Sequence, residues 1–205
     1  MKKRLLIYIL GIFISSVGIG LAIKSNLGVS SWDSIFVVLE TYTFLTMGAW
    51  SIIIQSIFLM LSAIIIKKLE FIAVIPVILR GITLDLIMPV INNLFIREYG
   101  YFARIILFIS GFILVGIGIG TYIIPKLPRM PIDGLMLAIK ERFNWSINKS
   151  RFVIEITGFC IGLILRGPIG IGTIITTFLI APVISFSNQN LSRVIKFKEM
   201  NEEGM

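Results

Sequence analysis

Hydrophobic and polar positions fall in long blocks along this chain rather than in the short alternations of a soluble fold. Residues 5–23, 41–66, 105–125 and 167–192 contain no charged side chain. A helix needs roughly 20 apolar residues to cross a hydrocarbon core of about 30 Å. The blocks predict spanning helices over 5–23, 49–66, 71–91, 105–124, 151–166 and 171–187. Two shorter segments, about 32–40 and 132–141, are too brief to cross. They read as re-entrant or half-helices, which membrane depth tolerates only when buried in protein or lining a cavity. The expected fold class is all-α: a polytopic membrane protein of six transmembrane helices.

The blocks repeat. Set 100 residues apart, Arg4, Ile9, Gly11, Gly18, Ile19, Gly20, Ile23, Leu27 and Asp33 face identical residues at 104, 109, 111, 118, 119, 120, 123, 127 and 133. Composition alone would supply roughly two or three such identities. Further on, Thr46 faces Ser146 and Gln55 faces Glu155. Each half carries three spans and one short helix. Three is odd, so the second half must run through the membrane in the opposite sense. The expected division is a first repeat over 1–97, an inverted second repeat over 98–190, and a charged cytoplasmic tail over 191–205. The run Lys2-Lys3-Arg4 before an apolar stretch imitates a signal peptide, but the same segment recurs at residue 104, so a retained helix is expected.

Charge supplies a separate test of that topology. With the N-terminus cytoplasmic, Lys2, Lys3, Arg4, Lys67, Lys68, Lys126, Arg129, Lys140, Arg142, Lys149, Arg151, Arg193, Lys196 and Lys198 all fall inside. Lys24, Arg97, Arg104 and Arg166 fall outside, and Arg80 lies within a span. This satisfies the positive-inside rule and puts both termini on the cytoplasmic side of the membrane. Counting the short helices as spans would move Lys67 and Lys68 outside. The net charge of +8 and pI of 9.8 are explained the same way, so no nucleic-acid partner is expected. A hydrophobic fraction of 57% with 15% charged residues, and a mean hydropathy of +0.98, is far from a soluble domain.

The chain has no histidine and one cysteine, Cys160. Imidazole ligands, histidine triads and an internal disulfide are thereby removed. No metal, no cofactor and no enzymatic activity are expected. Gly11, Gly18, Gly111 and Gly118 read as helix-packing positions, since small residues let membrane helices approach closely. Asp33 and Asp133 open the two short helices. They suit helix capping, and equally a site at the ends of broken helices, where inverted-repeat transporters bind ions and substrates. Arg80 and Asp85 lie inside a span, five residues apart and so turned away from each other. Each needs a partner elsewhere or a wet cavity. Arg151 and Glu155 have the i,i+4 spacing of a local pair and are also candidates for binding. The glycine-rich run 167–173 has no preceding strand and lacks a third phosphate-binding glycine. It is expected to be a turn, with Thr173 capping the next helix.

The strings Pro131-Ile132-Asp133-Gly134-Leu135-Met136, Arg151-x-x-x-Glu155, Gly170-Ile171-Gly172-Thr173 and Ala181-Pro182 resemble the YczE/YyaS/YitT family of bacterial membrane proteins. So does Leu27-Gly28-x-x-x-Trp32-Asp33. The resemblance spans nearly the whole chain and departs from the family pattern at Pro128-Arg129-Met130-Pro131 and at Ala181. It implies a multi-span protein of the bacterial inner membrane and brings no agreed substrate. Two functions remain open on the residues. One is a small transporter or substrate-binding membrane subunit for a small molecule or ion. The other is a non-transporting accessory protein that assembles with an enzyme, an export system or copies of itself. A membrane enzyme has least support; it would need Asp85 and Glu155 to converge in one pocket.

Overall fold

The computed structural model describes residues 2–68, 70–93 and 100–195. Arg97, the expected boundary at 97/98, Lys196, Lys198 and the tail from 196 onward lie outside the described residues. Among the described residues there are eight α-helices, a short 3-10 turn at Phe71–Ala73, and no strand. The helices are α1 (Lys2–Ser25), α2 (Ser31–Tyr42), α3 (Met47–Ile66), α4 (Val74–Asn92), α5 (Gly100–Ile123), α6 (Pro131–Phe143), α7 (Ile147–Ile164) and α8 (Ile171–Val194).

Among the described residues, five stretches are long and apolar enough to cross a membrane: α1, α3, the 3-10 turn with α4, α5 and α8. The sequence leads one to expect six. The sixth, α7, is 18 residues long and carries Lys149, Arg151 and Glu155 in its first half, which is too much charge for a simple apolar span. The short helices sit where expected and run slightly longer than predicted.

Local chemistry sets the helix ends, and it recurs 100 residues on. The hydroxyl of Thr46 accepts from Ala49 N at 3.1 Å to start α3; that of Ser146 accepts from Lys149 N at 3.2 Å to start α7. Helix α1 ends where Asn26 takes a left-handed φ of 52° and bonds Ile23 O at 3.0 Å. Helix α5 ends where Lys126 takes φ 55° and bonds Ile123 O at 3.1 Å. The first turns of α2 and α6 likewise close through Ser34 N to Ser30 O and Gly134 N to Met130 O. Helix α6 has Pro131 in its first turn, where its missing N–H costs nothing.

Packing follows the same rule. Helices α1 and α5 form the most extensive helix contact. A Cβ at Gly11 would lie 2.8 Å from Gly118 O, and one at Gly118 2.6 Å from Gly11 O. At Gly18 and Gly111 each added Cβ would lie 2.6 Å from the other's carbonyl oxygen. Pairing 11 with 118 and 18 with 111 makes the two helices antiparallel. It also makes the contact self-complementary, as a two-fold interface is. The remaining contacts fall into matching sets: α1 on α4 and α5 on α8, α2 on α7 and α6 on α3, α2 on α3 and α6 on α7. The match fails once. Helix α3 packs broadly on α4, whereas α7 and α8 scarcely touch.

The outer surface is apolar. Leu6, Ile64, Ile82, Leu86, Phe102, Ile164, Leu179 and many similar side chains are exposed. The buried positions include Ser15, Ser16, Ser31, Ser34, Ser51 and Ser150. This inversion of the soluble pattern is what a lipid solvent demands.

Candidate functional site

The loops and first turns of α2 and α6 bring their carboxylates inward. Ser30 caps α2 by accepting from Asp33 N at 3.2 Å, and its hydroxyl donates to Asp33 Oδ2 at 2.6 Å. The other oxygen, Oδ1, takes Arg80 Nη2 of α4 at 3.0 Å. The two side chains are only 12% and 7% exposed, so this is a buried ion pair. Asp33 thus opens its helix and also faces the interior. Asp133 occupies the matching turn of α6, where Tyr122 OH donates to its Oδ2 at 3.3 Å.

These residues border a cavity of about 360 Å³ at the meeting point of all eight helices. Its charged lining is Asp33, Arg80, Arg129, Asp133, Arg151 and Glu155. Ser30, Gln55, Tyr122, Thr176 and Thr177 add polar groups. Phe36, Phe112, Val115, Ile119, Ile180 and Ile184 supply apolar wall. Arg151 and Glu155, one turn apart on α7, both point here and do not close to salt-bridge distance on each other. Arg151 acts on Asp133 and Glu155 alike through its charge. Among the described residues, the side chains of Arg129 and Arg151 make no hydrogen bond or ion pair.

Of the candidates named from sequence, five come together: Asp33, Arg80, Asp133, Arg151 and Glu155. Asp85 does not. Its Oδ1 accepts Gly48 N at 2.8 Å and its Oδ2 accepts Thr46 Oγ1 at 2.8 Å, so it holds the N-terminus of α3 from outside the cavity. A carboxylate on a neighbouring helix is a good partner for those unpaired amides and for the positive end of the dipole. Asp85 and Glu155 therefore share no pocket. Gly11, Gly18, Gly111 and Gly118 lie on the α1–α5 contact described above. Thr173, in the first turn of α8, accepts from Gly170 N at 3.1 Å, and Gly172 N donates to Leu27 O at 2.8 Å. Gly28, at φ 112°, packs its Cα against Gly170 and Thr173, a conformation and a spacing that admit no side chain.

Three lining groups were less visible in the sequence. Gln55 was legible only as the repeat mate of Glu155. Tyr122 is hidden inside an apolar span, and Arg129 reads as an orientation charge. A second cavity, of about 510 Å³, lies beside the first and is lined by Lys68, Glu70, Lys126 and Glu141 among others. Arg129 and Met130 border both. Tyr8 OH donates to Pro128 O at 2.6 Å and so ties this dividing segment to α1.

Apolar outer faces, several membrane-length helices and a charged interior define a polytopic helical membrane protein. More narrowly, the chain belongs to a family of unknown function, DUF6198, which matches residues 2–189. It is 35% identical over 173 residues to the uncharacterized protein YyaS of Bacillus subtilis (strain 168), covering 84% of this chain and 86% of that one. It is 32% identical over 196 residues to the uncharacterized membrane protein YczE of the same organism, covering 91% and 88%. An uncharacterized protein of Haemophilus influenzae is 29% identical over 192 residues, covering 94% and 86%. The resemblance drawn from the motifs thus holds for YyaS and YczE. No solved structure matches the chain significantly.

Proposed function

We propose that this protein is a small secondary transporter or substrate-binding membrane protein whose site is the charged central cavity. The observation that carries the reading is that Asp33 and Asp133, repeat mates from the two short helices, meet there with Arg80, Arg151 and Glu155. Ionisable groups are costly within a membrane and gather where a substrate or ion passes. Binding between two halves, at the ends of short helices, is the arrangement of inverted-repeat transporters.

The wider architecture in this reading is two inverted three-span repeats, 1–97 and 98–190, with α7 as the sixth span. Its charged face turns to the cavity and its other side to lipid. The self-complementary α1–α5 contact and the caps that recur 100 residues on support it. The distribution of basic residues supports cytoplasmic termini, and the bacterial relatives support a bacterial cytoplasmic membrane. The accessory-protein alternative gains no specific observation, because lipid already accounts for the exposed apolar faces.

The test is thermal unfolding of the purified protein in detergent or nanodiscs against a broad panel of anions, cations, sugars and amino acids. A ligand that raises the unfolding temperature of the native protein, and fails to do so in Asp33→Asn/Asp133→Asn, is the expected result. A panel without any response from the native protein would remove the proposal.

A further inference from the structure

The cavity contains one closed ion pair, Arg80–Asp33, and that pair leaves out the rest of the charged lining. Two guanidinium groups, half-buried Arg151 and solvent-exposed Arg129 at the rim, and two half-buried carboxyl groups, Asp133 and Glu155, remain with no ion-pair partner at contact distance among the described residues. The leftover buried polar atoms are also of both kinds. Gln55 Oε1, on a side chain 4% exposed, is an acceptor without a partner, and Arg80 Nε is a donor without one. Groups left unsatisfied in a low-dielectric site are costly, so a ligand that completes them binds with a large differential gain.

Charge balance decides the ligand class. A plain anion would satisfy Arg151 while setting a further negative charge against Asp133 and Glu155. A plain cation would do the reverse against Arg129 and Arg151. A ligand with one charge of each sign satisfies both sets. A carboxylate is the natural partner of a guanidinium fork, and an ammonium supplies three donors for carboxylate and amide oxygens. The remaining wall is apolar and aromatic, which asks for an apolar body. A volume of about 360 Å³ is at the small end of ligand pockets.

We infer, on the footing of the site proposed above, that the cavity takes a small zwitterion with an apolar body, a 2-amino carboxylic acid being the simplest member. Its carboxylate faces Arg151, with Arg129 at the cavity's edge, and its ammonium faces Asp133, Glu155 and Gln55. Phe36, Phe112 and Ile180 receive the side chain.

The experiment measures binding of leucine, phenylalanine and tryptophan to the purified full chain by calorimetry and by thermal shift. Each is compared with its counterpart lacking the amine and its counterpart lacking the carboxylate, for example 3-phenylpropanoate and 2-phenylethylamine. At least one of the three amino acids is expected to bind about tenfold or more tightly than both of its counterparts, tenfold being about 1.4 kcal/mol. Arg151→Gln should bring the amino acid down to the level of its amine. Asp133→Asn should bring it down to the level of its acid. The comparison of analogues on the native protein decides the question even where a variant fails to fold. If the acid or the amine alone binds as well as the parent, or only another class in the broad panel binds, the zwitterion inference falls and the binding-site reading stands. If no compound in either set binds, both fall.

Discussion

Asp33 shows how one residue can serve two purposes when its neighbours divide its oxygens. Ser30 takes Oδ2 and Arg80 takes Oδ1, so the same carboxylate secures a helix start and neutralises a buried cation. Removing one partner of such a pair strands a charge in a poor solvent, at a cost of about 3–5 kcal/mol, whereas removing both is far milder. Arg80→Met should therefore lower the unfolding temperature sharply, and Arg80→Met/Asp33→Asn should recover at least half of that loss. Equal losses in the two variants, in thermal denaturation monitored by circular dichroism, would contradict this account. Asp133, the repeat mate, has no such cation in contact. That difference between two aligned aspartates is what leaves charge available in the cavity.

At the scale of elements, every helix start needs partners for its first amides. Ser30, Thr46 and Ser146 supply them from the preceding loop, and Asp85 reaches across from α4 to supply Gly48 N of α3. Asp85→Ala removes the two hydrogen bonds across the α3–α4 contact. The loss should be about 1–2 kcal/mol of stability, with any ligand binding unchanged, since the residue lies outside the cavity. Reduced affinity without a change in stability would instead move Asp85 into the site. Glycine governs the other major contact. Helices α1 and α5 approach so closely that backbone faces backbone at Gly11, Gly18, Gly111 and Gly118, the close packing that small residues permit in lipid.

For the whole molecule, the decisive property is the direction in which each half crosses the bilayer. Helices α1 and α5 are antiparallel, and in the proposed repeat this would put equivalent ends of the two halves on opposite sides. In the proposed topology the end of α3 and the start of α7 then share the cytoplasmic side. In a Cys160→Ser background, Lys67→Cys and Trp145→Cys should react with an impermeant thiol reagent from the same face of oriented vesicles. Reaction from opposite faces would dismantle the repeat and with it the central site. The cleft bordered by Lys68, Lys126 and Glu141 lies on the face these two positions share in that topology. Arg129 and Met130 border both it and the cavity, whereas at Gly28 the opposite loop is packed hard against the start of α8.

Much of this was legible in the chain itself. Uncharged blocks near 20 residues long specify helices in lipid, because only internal hydrogen bonding satisfies a backbone there. Glycines and aspartates recur at an interval of 100, and the short helices betray themselves by length. The charges on α7 were also visible, but whether they pair along the helix or turn into a cavity depends on what faces them. So it was with Asp85, whose partner is a backbone amide that no side-chain pattern records. Which of six charged residues neutralise each other, and which stay available to a ligand, is settled by distances of a few ångströms between helices far apart in sequence. Linear order determines which residues can lie in the membrane, through the free energy of moving them out of water. Their pairing is a property of the packed bundle, because Coulomb and hydrogen-bond energies depend on separations that only tertiary contact sets.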